Sequence, residues 1–139
     1  MDYPLHQYRL FTRYATSLVD LVSSVNLGNL WLSNLPKLYD ETNKTNDLLH
    51  ALSSVCKAQS TWNAHEILFE ARRAMGGLGY SHHALIGPIV YNGDVNQTFE
   101  GDNNVLIMQT AKFLMKATAD TPTCGFLSQE TVTVGDTVD

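Results

Sequence analysis

Through the first 118 residues, apolar side chains recur three and four positions apart and do not alternate with the period of a strand, so the chain is expected to build a helical bundle. Phe11, Tyr14, Ala15, Leu18, Val22 and Val25 form one stripe, predicting a first helix over about 5–25 that buries it. Asn26-Leu27-Gly28-Asn29 is the expected stop, because Gly and Asn tolerate the left-handed conformation that ends helices. Residues 30–38 fit either a short helix interrupted at Pro36 or an ordered connection. The polar stretch 40–46 offers caps for a second helix over about 41–58, on Leu48, Leu49, Leu52 and Val55. Ser60 and Thr61 read as the caps of a third, about 61–75, on Ile67, Leu68, Ala71, Ala74 and Met75.

Gly76-Gly77-Leu78-Gly79 must end that helix, since three glycines in four residues remove helix propensity and permit positive φ. Residues 80–101 hold Gly87, Pro88, Gly93 and Gly101 and read as loops around at most one short helix. A fourth helix, about 102–118, is apolar on nearly every side, from Val105 to Met115, and is expected to be the most buried element, its apolar stripe core packing rather than a lipid site. Residues 119–139, rich in threonine and lacking any base, read as a disordered or weakly ordered tail. The fold class is all-α, an antiparallel helical bundle. At 139 residues there is room for one domain of this kind.

Charge and cysteine usage narrow the function. Lys and Arg total 9 against 14 Asp and Glu, and four of the acids, Asp120, Glu130, Asp136 and Asp139, lie in the tail. No basic face is implied, which argues against nucleic acid as a partner. Cys56 and Cys124 cannot make a disulfide framework, and neither stands in a C-x-x-C pair. No apolar run approaches the ~18 residues of a membrane span, and the N-terminus has no apolar core of a signal peptide, so neither membrane insertion nor export is expected. The sequons at Asn43 and Asn96 are then coincidental.

Most motifs fail on inspection. His65-Glu66-Ile67-Leu68-Phe69 starts like a zinc-protease helix but places Phe69 where the second ligand belongs. His82-His83 has no further ligand at metal-binding spacing, so no metal is expected. Gly77-Leu78-Gly79 resembles a dinucleotide fingerprint, yet His82 replaces the third glycine and the segment follows a helix. Those glycines either end a helix or let backbone approach a phosphate or a neighbouring chain. Glu100, between Phe99 and Gly101, is either a general base among apolar neighbours or an ordinary acid at a helix entrance. Arg72-Arg73 reads as a solvated helix face or an ion pair with Glu66 or Glu70 one turn away.

Several blocks taken together carry more. Arg72-Arg73-Ala74-Met75-Gly76-Gly77-Leu78-Gly79-Tyr80, Thr98-Phe99-Glu100-Gly101-Asp102-Asn103-Asn104 and Gln109-Thr110-Ala111-Lys112-Phe113-Leu114 resemble the acyl-CoA oxidase family. Tyr3-Pro4-Leu5-His6-Gln7-Tyr8-Arg9-Leu10 and Ser60-Thr61-Trp62-Asn63-Ala64 resemble it too, so the likeness covers residues 3–117 and leaves 118–139 unmatched. The order and spacing of the blocks make it specific, and it looks closest to peroxisomal members acting on branched chains.

The resemblance implies the first C-terminal helical domain of an FAD-dependent enzyme that desaturates fatty acyl-CoA between Cα and Cβ and passes the electrons to oxygen, giving hydrogen peroxide. It implies that Glu100 removes the α-proton, that Phe99 lies beside the reacting carbons, and that Gly76 and Gly77 meet the FAD pyrophosphate of a partner subunit. Asp102 and Asn104 match positions that approach the cofactor. Arg73 departs from the acidic or amide residue usual ahead of the glycines. Relatives place a helical domain and a β-domain before this region and another helical domain after it. The expectation is therefore a fragment that carries the base but not a complete FAD or substrate site, inactive alone and prone to homo-oligomerise or to join full-length subunits. A peroxisomal location follows from the resemblance, although Thr137-Val138-Asp139 is not an S-K-L type address. A non-catalytic interaction module and a dehydrogenase-type electron acceptor are the alternatives.

Overall fold

The computed structural model describes residues 2–37 and 45–119. The expected start of the second helix at 41–44, Cys124, and the proposed tail from 120 onward lie outside the described residues. Within them the chain forms four α-helices: α1 (Pro4–Asn34), α2 (Thr45–Ala74), α3 (Ile86–Asp94) and α4 (Asn103–Ala119). No strand occurs among the described residues, in keeping with the all-α expectation.

Helix α1 opens with Pro4 in its first turn, where a missing N–H costs nothing, and it does not stop at 26–29. It runs through Gly28 because the continuation carries Leu27 and Leu30 along α2, where they line a shallow apolar groove with Leu52 and Val55. That gain outweighs the ~1 kcal/mol that a glycine costs inside a helix. The helix ends at Asn34 in a 3-10 turn, Leu35–Lys37, that contains Pro36.

The second and third expected helices are one. Ser60 Oγ donates to the Lys57 carbonyl (3.2 Å), and Thr61 Oγ1 donates to the carbonyls of Lys57 (2.9 Å) and Ala58 (3.2 Å). Both hydroxyls thus bond back along the same helix instead of capping a new one. The result, α2, is the axis of the domain: α1, α3 and α4 all pack against it.

Each packing is antiparallel. Arg9 pairs with Glu70, Arg13 with Glu66, Asp20 with Asn63 and Ser24 with Cys56, so α1 descends as α2 rises. On the other side Asn103 meets Ala58 and Thr61, Thr110 bonds the Ala51 carbonyl, and Lys116 approaches Asp47. Helix α3 runs back along the end of α2, with Gly93 against Leu68 and Asp94 beside His65.

The core is small and lies on α2, at Leu49, Ala51, Ser54 and Ala58. Two expectations fall here. Helix α4 is not the most buried element, since Val105, Met108, Leu114 and Met115 are exposed. Helix α1 buries no residue, and its apolar stripe faces away from α2: Phe11 is 62% exposed and Val22 58%. Over its first half, what α1 turns toward α2 is largely polar, because Arg9, Arg13 and Asp20 find their ionic and amide partners there; Leu27 and Leu30 make the apolar contact further along. Among the described residues, no helix is long and apolar enough to cross a membrane.

Candidate functional site

The turn that leads into α4 is built from unusual backbone. Thr98 and Phe99 both donate their N–H groups to the Val95 carbonyl (3.0 Å each), closing the 3-10 turn Val95–Gln97. Glu100 then adopts φ 55° and Gly101 φ 104°. Two successive positive φ values reverse the chain into α4, and only the second residue is a glycine. A side chain held in the left-handed region costs roughly 1–2 kcal/mol, and such outliers gather at functional sites. The φ of Gly101 favours glycine there, and a Cβ would also press on Leu106 Cδ2 at 3.1 Å.

Glu100 is exposed and makes no hydrogen bond or ion pair among the described residues. Phe99 beside it is half exposed. Asp102 has different work: its Oδ1 accepts the backbone N–H groups of Asn104 (2.8 Å) and Val105 (3.4 Å), the N2 and N3 donors of α4. Asn104 is exposed.

Two residues that the sequence reading left aside hold this turn to α2. Asn103 is 1% exposed, the largest fully buried side chain among the described residues. Its Nδ2 donates to Thr61 Oγ1 (2.8 Å) and to the Ala58 carbonyl (3.3 Å), and its Oδ1 accepts from Lys57 Nζ (2.9 Å). Lys57 Nζ also donates to the Gly101 carbonyl (2.6 Å). Asn103 lies inside the block Thr98–Asn104, but its residue type alone assigns it no role. Nothing marked Lys57, because a lysine within a helix ordinarily points to water.

The glycine block lies elsewhere. Gly76, at φ 58°, ends α2 in the left-handed region, and a 3-10 turn, Gly76–Tyr80, follows. Gly76 and Gly77 are exposed, with open space where a Cβ would stand. Leu78 and Tyr80 are exposed as well, Tyr80 at 86%. Gly79 is the structural glycine: a Cβ there would lie 2.3 Å from the Arg72 carbonyl oxygen. From Thr61, level with the Glu100 turn, to the end of α2 at Ala74 is about 20 Å of helix, so one chain does not bring the two sets together.

Charges near the glycines follow the ion-pair reading. Glu70 binds both Arg9 and Arg73, the latter at 3.2 Å across one turn. The hydrogen bond from Arg9 first, with that from Arg73 and the charge of both, outweighs partial desolvation and holds the Glu70 carboxyl below its usual range. Arg72 makes no ion pair among the described residues. His65 packs its ring on Phe69 (centroids 4.6 Å apart) and points Nδ1 at Asp94 (3.5 Å). Among the described residues, no three His, Cys, Asp or Glu side chains come together to hold a metal ion.

The helical domain thus presents, among the described residues, an unpaired glutamate at a strained helix entrance and an open glycine turn set apart from it. Over residues 1–115 the chain matches the acyl-CoA oxidase C-alpha1 domain. It is 39% identical to acyl-coenzyme A oxidase 3, peroxisomal, of Arabidopsis thaliana, over 82% of this chain and 16% of that protein. To peroxisomal acyl-coenzyme A oxidase 1 of Rattus norvegicus it is 38% identical, over 84% of this chain and 18% of the relative. An acyl-coenzyme A oxidase of Candida glabrata is 31% identical over 94% of the chain and 19% of its own length. No solved structure matches. The chain belongs to the acyl-CoA oxidase C-alpha1 family, and it spans about a fifth of the length of these relatives.

Proposed function

We propose that this chain is the first C-terminal helical domain, residues 3–117, of a peroxisomal, FAD-dependent acyl-CoA oxidase, and that Glu100 is the base that takes the α-proton of a fatty acyl-CoA. The observation that carries this reading is the state of Glu100: a carboxylate committed to no partner, presented from strained backbone at the mouth of a helix. A base needs a free lone pair within reach of its proton, and a carboxylate tied into an ion pair lacks one. Phe99, half exposed alongside, supplies an apolar wall for the reacting carbons.

The residues present fit one wall of a flavin site. Gly76 and Gly77 offer backbone that no side chain covers, as a pyrophosphate held on another subunit requires. Asp102 acts through the helix it caps, orienting the first turn of α4, and Asn104 on that turn is open to the cofactor. When bound, FAD supplies a hydride acceptor for Cβ and hands the electrons to oxygen, giving peroxide. The separation of Glu100 from the glycine turn supports assigning each to a different copy of the site, and with it a homo-oligomer or association with full-length subunits.

By itself the chain holds the base without the surfaces that place substrate and flavin against it, so it is inactive alone. The test is a flavin titration of the purified chain, followed by a fatty acyl-CoA and a peroxide assay. No flavin binding and no peroxide are expected until the remaining domains of the oxidase are supplied, and Glu100→Gln then abolishes turnover. Turnover that survives Glu100→Gln would leave the domain a non-catalytic helical module. Turnover without peroxide in air would assign a dehydrogenase-type acceptor.

A further inference from the structure

We propose that Lys57 and Asn103 are positioning residues for Glu100, a clamp from α2 that holds the left-handed turn in the geometry that presents the carboxylate. The proposal rests on the reading of Glu100 as the base. Three observations support it. Lys57 Nζ donates at 2.6 Å to the carbonyl of Gly101, the residue next to Glu100, and so fixes the peptide plane that follows the turn. The same ammonium donates to Asn103 Oδ1, while the buried Asn103 Nδ2 is held by the buried Ala58 and the half-buried Thr61, so the clamp is seated on α2 at both ends.

The charge of Lys57 is also placed unusually. Among the described residues it makes no ion pair, and it directs its hydrogen bonds to two neutral oxygens. Charge-assisted hydrogen bonds of this kind are about twice as strong as neutral ones, which suits them to hold backbone that would otherwise relax. Glu100 at φ 55° and Gly101 at φ 104° are such backbone. Asp102 caps α4 from within and cannot set where that helix stands relative to α2; Lys57 and Asn103 do.

Lys57→Met keeps the side-chain stem and removes its donors. In the assembled oxidase this variant is expected to lower kcat about 10²-fold, the scale of a misplaced catalytic group, with KM for acyl-CoA little changed. Lys57→Arg, which keeps charge and donors, should recover most of the loss. In the 139-residue chain, hydrogen exchange should speed up at the amides of Asn104, Val105 and Leu106, which bond to Asp102, while those of Leu49–Ser54 on α2 stay protected. Should Lys57→Met fail to fold, Thr61→Val removes the acceptor of Asn103 Nδ2 at constant shape and should cost about tenfold in kcat, a smaller displacement of the same group. Wild-type kcat and unchanged exchange in these variants would overturn the clamp, as would equal loss of protection along α2, which marks general destabilisation. Turnover surviving Glu100→Gln overturns the base instead, whatever the Lys57 variants do.

Discussion

A glutamate at φ 55° crowds its own Cβ against the following carbonyl, and glycine at the same position would not. Glu100→Gly should therefore stabilise the domain by about 1 kcal/mol, or about 4 °C in Tm, while Glu100→Gln stays within about 0.5 kcal/mol of the parent. Thermal melts of the three chains read this directly, and a less stable Glu100→Gly would mean that the turn is not strained. A more stable Glu100→Gly marks the proposed base as a residue whose stability cost is retained for chemistry. Glu70 carries a different signature. Its carboxyl lies below the ordinary glutamate value in the folded chain, chiefly through Arg9, so the unfolded chain binds the proton more readily. Stability from this group is fully present above the unfolded value of about 4.5 and is lost as pH falls through the lower folded value. Arg9→Gln should accordingly lower Tm at pH 7, with the gap closing in acid below that window. A gap that does not depend on pH would assign the loss to packing of the arginine stem.

Among the helices, glycines report which positions are constrained. Gly28 lies exposed in the interior of α1 with open space around it, so Gly28→Ala should stabilise by about 0.7 kcal/mol. Gly79→Ala should destabilise by about 2 kcal/mol, because the new methyl meets a backbone oxygen that cannot step aside. Urea unfolding of both separates a tolerated glycine from a required one; equal effects would contradict the path of the chain at 76–80. These positions also show what was legible in advance. Helical periodicity identified α1, α4 and the break at Gly76, because those signals are local. The stop expected at Gly28 and the new start expected at Ser60 do not occur, because a glycine can end a helix and a serine can begin one, and only packing against a partner decides whether they do. Glu100 and the glycines stood in readable blocks, whereas the Lys57 to Gly101 bond joins residues 44 apart and leaves no local trace.

At the scale of the whole molecule, the side on which the apolar stripe of α1 lies is the feature that most needs explaining. Phe11, Tyr14, Leu18, Val22 and Val25 recur as a core-facing stripe should, yet they stand on the outer side while ion pairs bind α1 to α2. A stripe of this size left in water marks a surface that something else covers. On the function proposed above, the cover is the other domains of an acyl-CoA oxidase; the chain spans about a fifth of the length of its relatives. Val22→Lys with Val25→Lys tests this, because the two possibilities differ in magnitude. If the stripe were core, the pair would cost about 1.5–3 kcal/mol per residue and unfold a domain this small. On an outer face each substitution should change stability by less than about 0.5 kcal/mol. The same pair should shift sedimentation of the isolated chain toward monomer, since it places two charges on the face through which copies would associate. In the assembled oxidase it should weaken docking of this domain, so that turnover falls with dilution although Glu100 and its clamp are untouched.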